Sequence, residues 1–118
     1  MPAPPPTPAD GAKVVLAGWT TFPTRTDAEQ FASAIVESRL AACAQVSGPV
    51  TSYYIWEGKS QRDEEWRVIV KFLPENADAI ALHLRTVHPY KTPQWIVFAS
   101  TQVSQDYLNW MLLEKRRP

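Results

Sequence analysis

The sequence predicts an α+β fold in which helices cover one face of a four-stranded antiparallel sheet. The spacing of apolar residues predicts, in chain order, a strand, a helix, two strands, a helix and a strand. An extra C-terminal helix follows. Residues 50–73 are typical of two long strands joined by a short polar turn. With right-handed crossovers, this order gives a ferredoxin-like βαββαβ sandwich with a long hairpin between its second and third strands.

Length and composition limit the class of protein. A chain of 118 residues forms one domain, which we place at residues 13–118. Residues 1–12 contain five prolines and no apolar period, which predicts a disordered tail. The twelve basic and twelve acidic residues give a net charge of zero. We therefore expect no electrostatic attraction to nucleic acid or to a membrane surface. No apolar run approaches membrane-spanning length and the single Cys43 suits a reducing compartment, so we expect a cytoplasmic protein.

The first elements follow from periodicity. Residues 13–21 are apolar enough for a buried strand. Residues 27–40 carry apolar side chains at helical spacing, and Thr26 is the expected N-cap. The chain becomes extended again at residues 43–46, and the Ser-Gly-Pro sequence at residues 47–49 predicts a bend or bulge.

The hairpin carries large apolar side chains on both of its faces, and its tip is expected at residues 58–63. Helices from so short a chain can cover one face only. Four large side chains would then stay in water: Tyr53, Ile55, Ile69 and Leu73. Burying them is worth roughly 6–12 kcal/mol, comparable to a domain's net stability of about 5–15 kcal/mol. We therefore expect an obligate oligomer in which another copy of the chain supplies the cover.

The remaining elements have clear boundary signals. Residues 74–76 break the return strand and open a second helix, which Pro89 ends. Residues 94–100 alternate as a fourth strand. Ser104 is the expected N-cap of the last helix, with Asp106 placed favourably for the helix dipole.

His88, Pro89 and Tyr90 are the first candidates for function, because they lie where a helix ends and a strand begins. The imidazole and the phenol could ligate metal, relay protons or hold a small anion, or could simply cap the helix and pack. Cys43 could be a buried hydrophobe, or a soft ligand for copper or zinc if it met an imidazole in space. His83 points to a different side of the helix from His88 and is expected at the surface.

Charged and aromatic residues supply further candidates. Glu65 and Lys71 lie in an otherwise apolar strand and need partners if assembly buries them. The aromatic residues expected in the core or at an interface are Trp56, Trp66, Tyr107 and Trp110. The sequence contains no phosphate loop, paired-cysteine metal site, nucleophile elbow or HExxH helix. We therefore expect a protein that is not an enzyme and has no organic cofactor.

An ordered series of short blocks runs along the chain from about residue 14 to residue 113. The blocks are Leu40-Ala41-Ala42-Cys43, Val50-Thr51-Ser52 with Tyr54, Trp56-Glu57-Gly58-Lys59, Glu65, Lys71, His88-Pro89-Tyr90 with Thr92-Pro93, and Tyr107-Leu108 with Trp110. Together they resemble the CutA family of divalent-cation tolerance proteins, and only the two ends of the chain fall outside the resemblance.

This resemblance implies a ferredoxin-like homotrimer that binds copper or another divalent metal ion. Cys43 and His88 are the implied positions for copper. A second implied set lines or braces a ligand cleft between subunits: Trp56, Glu65, Lys71, His88, Tyr90, Tyr107 and Trp110.

The family is also similar in architecture to PII signalling proteins, which hold ligands between subunits. The alternative is therefore a PII-like module that binds a small anion or a protein partner, with positive charge from Lys71, His88 and Lys91. The sequence departs from the family pattern at Lys91 and Gln94, where acidic residues are common. The loss of these carboxylates weakens a site for a hard cation.

Overall fold

The computed structural model describes residues 14–118, and the tail predicted at residues 1–12 lies outside that range. In chain order, the elements are β1 (Leu16–Phe22), α1 (Arg25–Glu37), β2 (Cys43–Trp56), β3 (Lys59–Phe72), α2 (Ala77–Val87), β4 (Ile96–Ala99) and α3 (Gln105–Arg116). A 3₁₀ turn, Pro74–Asn76, leads into α2. The predicted βαββαβ order with an extra C-terminal helix is confirmed. Within residues 14–118, none of the helices is both long enough and apolar enough to span a bilayer.

The strands form one sheet in the order β2-β3-β1-β4, and every neighbouring pair is antiparallel. Lys71 lies opposite Ala17 on β1 and Cys43 on β2, whereas Val68 lies opposite Thr20 and Val46. Partners in register project to the same side, so successive rows of side chains alternate between the two faces of the sheet. This is the ferredoxin-like topology that the sequence predicts.

One face of the sheet is packed by α1 and α2. Val68, Val70 and Phe72 of β3 are at most 1% exposed, so every second side chain in this part of the strand is buried against the helices. The same core contains side chains from β1 and both helices: Phe22, Phe31, Ile35, Ile80 and Leu84. Burial of these side chains fixes β3 as the central strand, and it thereby fixes which residues face away from the helices.

A smaller cluster forms where α3 packs near the base of the hairpin. It contains Val15, Leu73, Leu108 and Met111. Leu73 is 3% exposed, so the prediction that it would be left in water was wrong. The extra helix α3 supplies the cover that we expected from a second chain. Tyr53 and Ile55 are each 70% exposed, and they do lie uncovered in the single chain.

Several predicted boundaries need correction. The N-cap of α1 is Thr24, whose hydroxyl accepts a hydrogen bond from the Asp27 N–H at 3.1 Å, and Thr26 lies in the first turn. The helix ends at Glu37 and not at residue 40, because Arg39 has a φ of 66° and turns the chain away. Both β1 and β4 are shorter than predicted.

The hairpin turn is tighter than the predicted tip at residues 58–63. Glu57 and Gly58 form a two-residue turn with φ values of 50° and 78°, as expected for a turn that follows the twist of the strands. Lys59 pairs with Trp56, so residues 59–63 are strand. The predicted bulge is confirmed as a register shift between Ser47 and Val50.

Candidate functional site

A hydrogen-bond network surrounds His88 at the end of α2. The His88 backbone N–H donates to the Leu84 carbonyl at 2.9 Å, which ends the helix. The Tyr90 N–H donates to Nδ1 of His88 at 3.1 Å. Because Nδ1 accepts this bond, the ring proton is on Nε2, which donates to the Thr21 carbonyl oxygen at 2.7 Å. The imidazole also stacks on Phe22, with ring centroids 4.3 Å apart.

Burial lowers the pKa of His88 below its ordinary value, although the bond to the Thr21 carbonyl and the charge of Glu65 act in the opposite direction. The side chain is therefore held as a neutral imidazole with both nitrogens bonded inside the chain. A metal ion could bind this ring only if one of the two hydrogen bonds were broken. His88 thus acts here as a structural link between β1 and the segment after α2.

Glu65 lies on the face of β3 that points away from α1 and α2, yet it is only 8% exposed. Its Oε2 accepts hydrogen bonds from the Tyr90 hydroxyl at 2.8 Å and from the Thr21 hydroxyl at 3.2 Å. No other residue that the structure describes donates to its second oxygen, Oε1. Burial, and then the bond to Glu65, raises the pKa of Tyr90, so Tyr90 remains a phenol that donates. The partners that the sequence required for Glu65 are thus two hydroxyl groups.

A cleft of about 760 Å³ opens beside Glu65, between the hairpin and the segment that follows α2. Its lining includes Tyr54 and Trp56 from β2, Glu65 from β3, and residues 89–94. Volumes of roughly 300–1,000 Å³ are typical of pockets for small molecules. Three of the predicted cleft residues, Trp56, Glu65 and Tyr90, therefore share one cleft within a single chain. Lys91 is the positively charged side chain in the same lining.

Four other predicted residues lie together at the opposite end of the hairpin. Cys43 pairs with Lys71 across the two strands, and Lys71 Nζ lies 5.9 Å from the centre of the Tyr107 ring. The Tyr107 ring is 5.4 Å from that of Trp110. Burial raises the pKa of Tyr107, and the neighbouring Cys43 thiol adds to the effect. This group does not line the cleft beside Glu65.

The two predicted copper positions do not meet within one chain. Thr21, which binds His88, is four residues along β1 from Ala17, and Ala17 is two strands from Cys43. Strand geometry therefore separates the two positions by about 13 Å along the sheet and about 10 Å across it. Among residues 14–118, no three His, Cys, Asp or Glu side chains are grouped closely enough to hold a metal ion. The described part of a single chain therefore does not form a complete metal site.

Sequence reasoning missed Thr21, which donates its hydroxyl to Glu65 and offers its carbonyl to His88. A threonine in an apolar strand was a weak signal for such a role. His83 also differs from its prediction, because it is half-buried and stacks on Phe31 with ring centroids 5.9 Å apart.

The fold and the site define a small ferredoxin-like domain with a hairpin that projects beyond its core. The cleft beside this hairpin is lined by the carboxylate of Glu65. Residues 16–114 match the family model described as CutA1 divalent ion tolerance protein. The chain belongs to this family, as the ordered blocks in the sequence indicate.

Two relatives named CutA are similar to this chain in sequence. The divalent-cation tolerance protein CutA of Pectobacterium atrosepticum is 34% identical over 91 residues, which cover 77% of this chain and 83% of the relative. The Escherichia coli CutA (strain K12 / DH10B) is 35% identical over 91 residues, with 77% and 81% covered.

Two solved structures are similar to the whole fold. The divalent ion tolerance protein CutA1 of Ehrlichia chaffeensis has a TM-score of 0.83 at 27% identity, covering 89% of this chain and 98% of that one. CutA of Synechococcus elongatus has a TM-score of 0.82 at 32% identity, covering 88% and 92%.

Proposed function

We propose that this chain forms a homotrimer that binds copper or another divalent metal ion and serves in tolerance to divalent cations. The observation that carries this proposal is the family match over residues 16–114. The exposed side chains of Tyr53 and Ile55 support assembly, because a second copy would remove their apolar surface from water. We also propose a binding role without catalysis, since His88, the strongest acid–base candidate, is already bonded at both ring nitrogens.

Cys43 is the soft ligand that we propose for copper. It is the free cysteine of the described chain and is partly exposed, and thiolate sulfur is a preferred donor for copper. His88 is less suited, because both ring nitrogens are occupied. Since one chain does not fit a complete site, further ligands would come from another copy of the chain.

The alternative of a PII-like anion module is less well supported. Within one chain, Lys71 lies six residues from Glu65 along β3, about 20 Å from the cleft, so its charge could reach this cleft only from a neighbouring subunit. His88 is held neutral by its buried position. Lys91 is thus left beside the buried carboxylate of Glu65, a poor setting for an anion.

Copper titration of three variants tests the proposed ligand. Cys43→Ala is expected to weaken copper affinity by at least the roughly 10- to 100-fold loss that removal of an outer-shell partner causes. His88→Ala is expected to lower the melting temperature and to leave copper affinity nearly unchanged. His83→Ala is the matched control for loss of an imidazole. Equal copper affinity for Cys43→Ala and the unmodified chain would exclude Cys43 as a ligand.

A further inference from the structure

A groove lies between the C-terminal end of α1 and helix α3, away from the cleft beside Glu65. This α3 groove has a volume of about 350 Å³. Its walls are largely apolar and include Val36, Leu40, Leu73, Trp110 and Met111. Of these five, Trp110 alone belongs to the set that the family resemblance places between subunits. The Trp110 side chain is 41% exposed, so its indole offers apolar surface at the groove.

The chain that precedes the described residues ends beside this groove. Val15 is 8% exposed and packs in one cluster with Leu73 and Met111, which both line the groove. Its backbone is held in place, because the Val15 N–H donates to the Ser100 hydroxyl and the Val15 carbonyl accepts from the Ser100 N–H, each at 2.9 Å. Residues 1–13 are therefore attached to the fold next to the groove.

The sequence of residues 1–13 suits a groove of this kind. Residues 2–8 read Pro-Ala-Pro-Pro-Pro-Thr-Pro and carry no charge. Proline-rich segments favour the polyproline II conformation and bind in grooves that aromatic side chains line. Their fixed φ angles reduce the entropy that is lost on docking. Residues 9–13 can span up to about 18 Å, and Asp10-Gly11 is a common turn sequence, so residues 2–8 can fold back onto the groove.

The charges at the groove favour the same occupant. Glu114 and Lys115 also line the groove, and each forms an ion pair within the chain, at 2.9 and 3.1 Å. Arg39 is exposed at the groove and forms no ion pair with any residue from 14 to 118. Asp10 is the acidic residue of the preceding segment. Its carboxylate is a suitable partner for this guanidinium group.

We propose that residues 2–8 dock in the α3 groove of their own chain as an extended proline-rich segment. The proline rings pack against Trp110, and the Asp10 carboxylate pairs with Arg39. The chain's own segment is favoured over a partner protein, because its attachment beside the groove gives it a high effective concentration there. The proposal goes beyond divalent-cation tolerance and depends neither on copper nor on assembly.

Digestion of the full-length chain with endoproteinase Asp-N, which cuts before aspartate, tests the proposal. Cleavage before Asp10 releases residues 1–9, and its rate follows the undocked population when docking is rapid. We expect a rate at least about fivefold below that of a synthetic peptide of residues 1–16. Trp110→Ala should raise the rate by about two- to tenfold, the range for a contact with an aromatic ring. Arg39→Gln should raise it by about two- to fivefold, as for an exposed ion pair.

Leu113→Ala and Arg85→Gln are the matched controls. Leu113 is 51% exposed on α3, Arg85 is exposed on α2, and neither lines the groove. Both variants should be cut before Asp10 at the rate of the unmodified chain. Cleavage before Asp106, in the first turn of α3, reports loosening of that helix. If Trp110→Ala accelerates this second cleavage, Arg39→Gln decides the test.

Three results would overturn the proposal. The first is a full-length chain that is cut before Asp10 as rapidly as the peptide. The second is protection that neither Trp110→Ala nor Arg39→Gln reduces. The third is a smaller sedimentation coefficient for Trp110→Ala with unchanged cleavage before Asp10, which would assign the groove to a second copy of the chain.

Discussion

The hydrogen bonds of His88 select one protonation state of its ring. Nδ1 accepts from the Tyr90 N–H and Nε2 donates to the Thr21 carbonyl, so an added proton on Nδ1 would face a donor. Burial against Phe22 opposes the charged form as well. The folded chain thus binds a proton at His88 less readily than the unfolded chain does.

This difference predicts an acid-sensitive stability. Because the pKa of His88 is lowered on folding, its contribution is fully present above the unfolded pKa of about 6.5 and is lost as pH falls towards the folded pKa. Unfolding free energies from urea titrations between pH 7.5 and 5 should fall less steeply for His88→Gln than for the unmodified chain. His83→Gln is the control and should keep the original slope. Identical slopes for all three proteins would contradict the assignment.

Sequence identified several residues of the site but not their connections. The His88-Pro89-Tyr90 block and the need of Glu65 for partners were visible from residue type and strand position. Thr21 is 67 residues from His88 and 44 from Glu65, so its role depends on the way α2 and β3 meet β1 in the folded chain. Distances of that kind are set by tertiary packing, which local patterns do not contain.

Among the elements, β1 has a requirement for a small residue at its centre. Gly18 is buried in the strand, and a Cβ added there would overlap Cη2 of Trp95. Trp95 in turn stacks near Phe72, with ring centroids 6.3 Å apart, which ties the start of β4 to the core. The absence of a side chain at Gly18 allows the indole to cross the strand.

Gly18→Ala should therefore destabilise the chain by overpacking, with an expected loss of about 1–3 kcal/mol. Chemical denaturation followed by circular dichroism measures this loss, and displacement of Trp95 should also change the near-ultraviolet signal. Gly58→Ala is the comparison, because it introduces backbone strain at a φ of 78° where no atom lies within 4 Å. A Gly18→Ala protein as stable as the unmodified chain, with the same near-ultraviolet spectrum, would argue against this packing.

The order and type of the elements were predictable, whereas several of their ends were not. Thr24 and Thr26 are both suitable N-caps with an acidic residue three positions later, and only the structure shows that Thr24 accepts the capping hydrogen bond, from the Asp27 N–H. The hairpin turn could not be located by charge alone, because Lys59 and its neighbours are as polar as a turn but continue the strand. Leu73 was misplaced since α3 was not expected to pack at the base of the hairpin.

At the scale of the whole molecule, the single chain leaves apolar surface at the hairpin tip and on the open face of the sheet, among other places. Ile55 is 70% exposed near the tip of the hairpin, and Phe98 is 56% exposed on the sheet face opposite α1 and α2. β4 is also an edge strand with unpaired backbone groups on its outer side. Surface of this kind is typical of an interface, and its burial must exceed the entropic cost of association.

We therefore expect the purified chain to sediment as a homotrimer, with no folded single-subunit species at micromolar concentration. Ile55→Lys should shift the population towards smaller species, because assembly would then bury a charge without a partner. Leu82→Lys is the matched control: Leu82 is 68% exposed on α2, away from the hairpin, and its substitution should leave the sedimentation coefficient unchanged. Equal sedimentation of the two variants would show that the hairpin tip lies outside the interface. A stable monomer of the unmodified chain would remove the case for assembly, because Ile55 and Phe98 would then tolerate water without a partner.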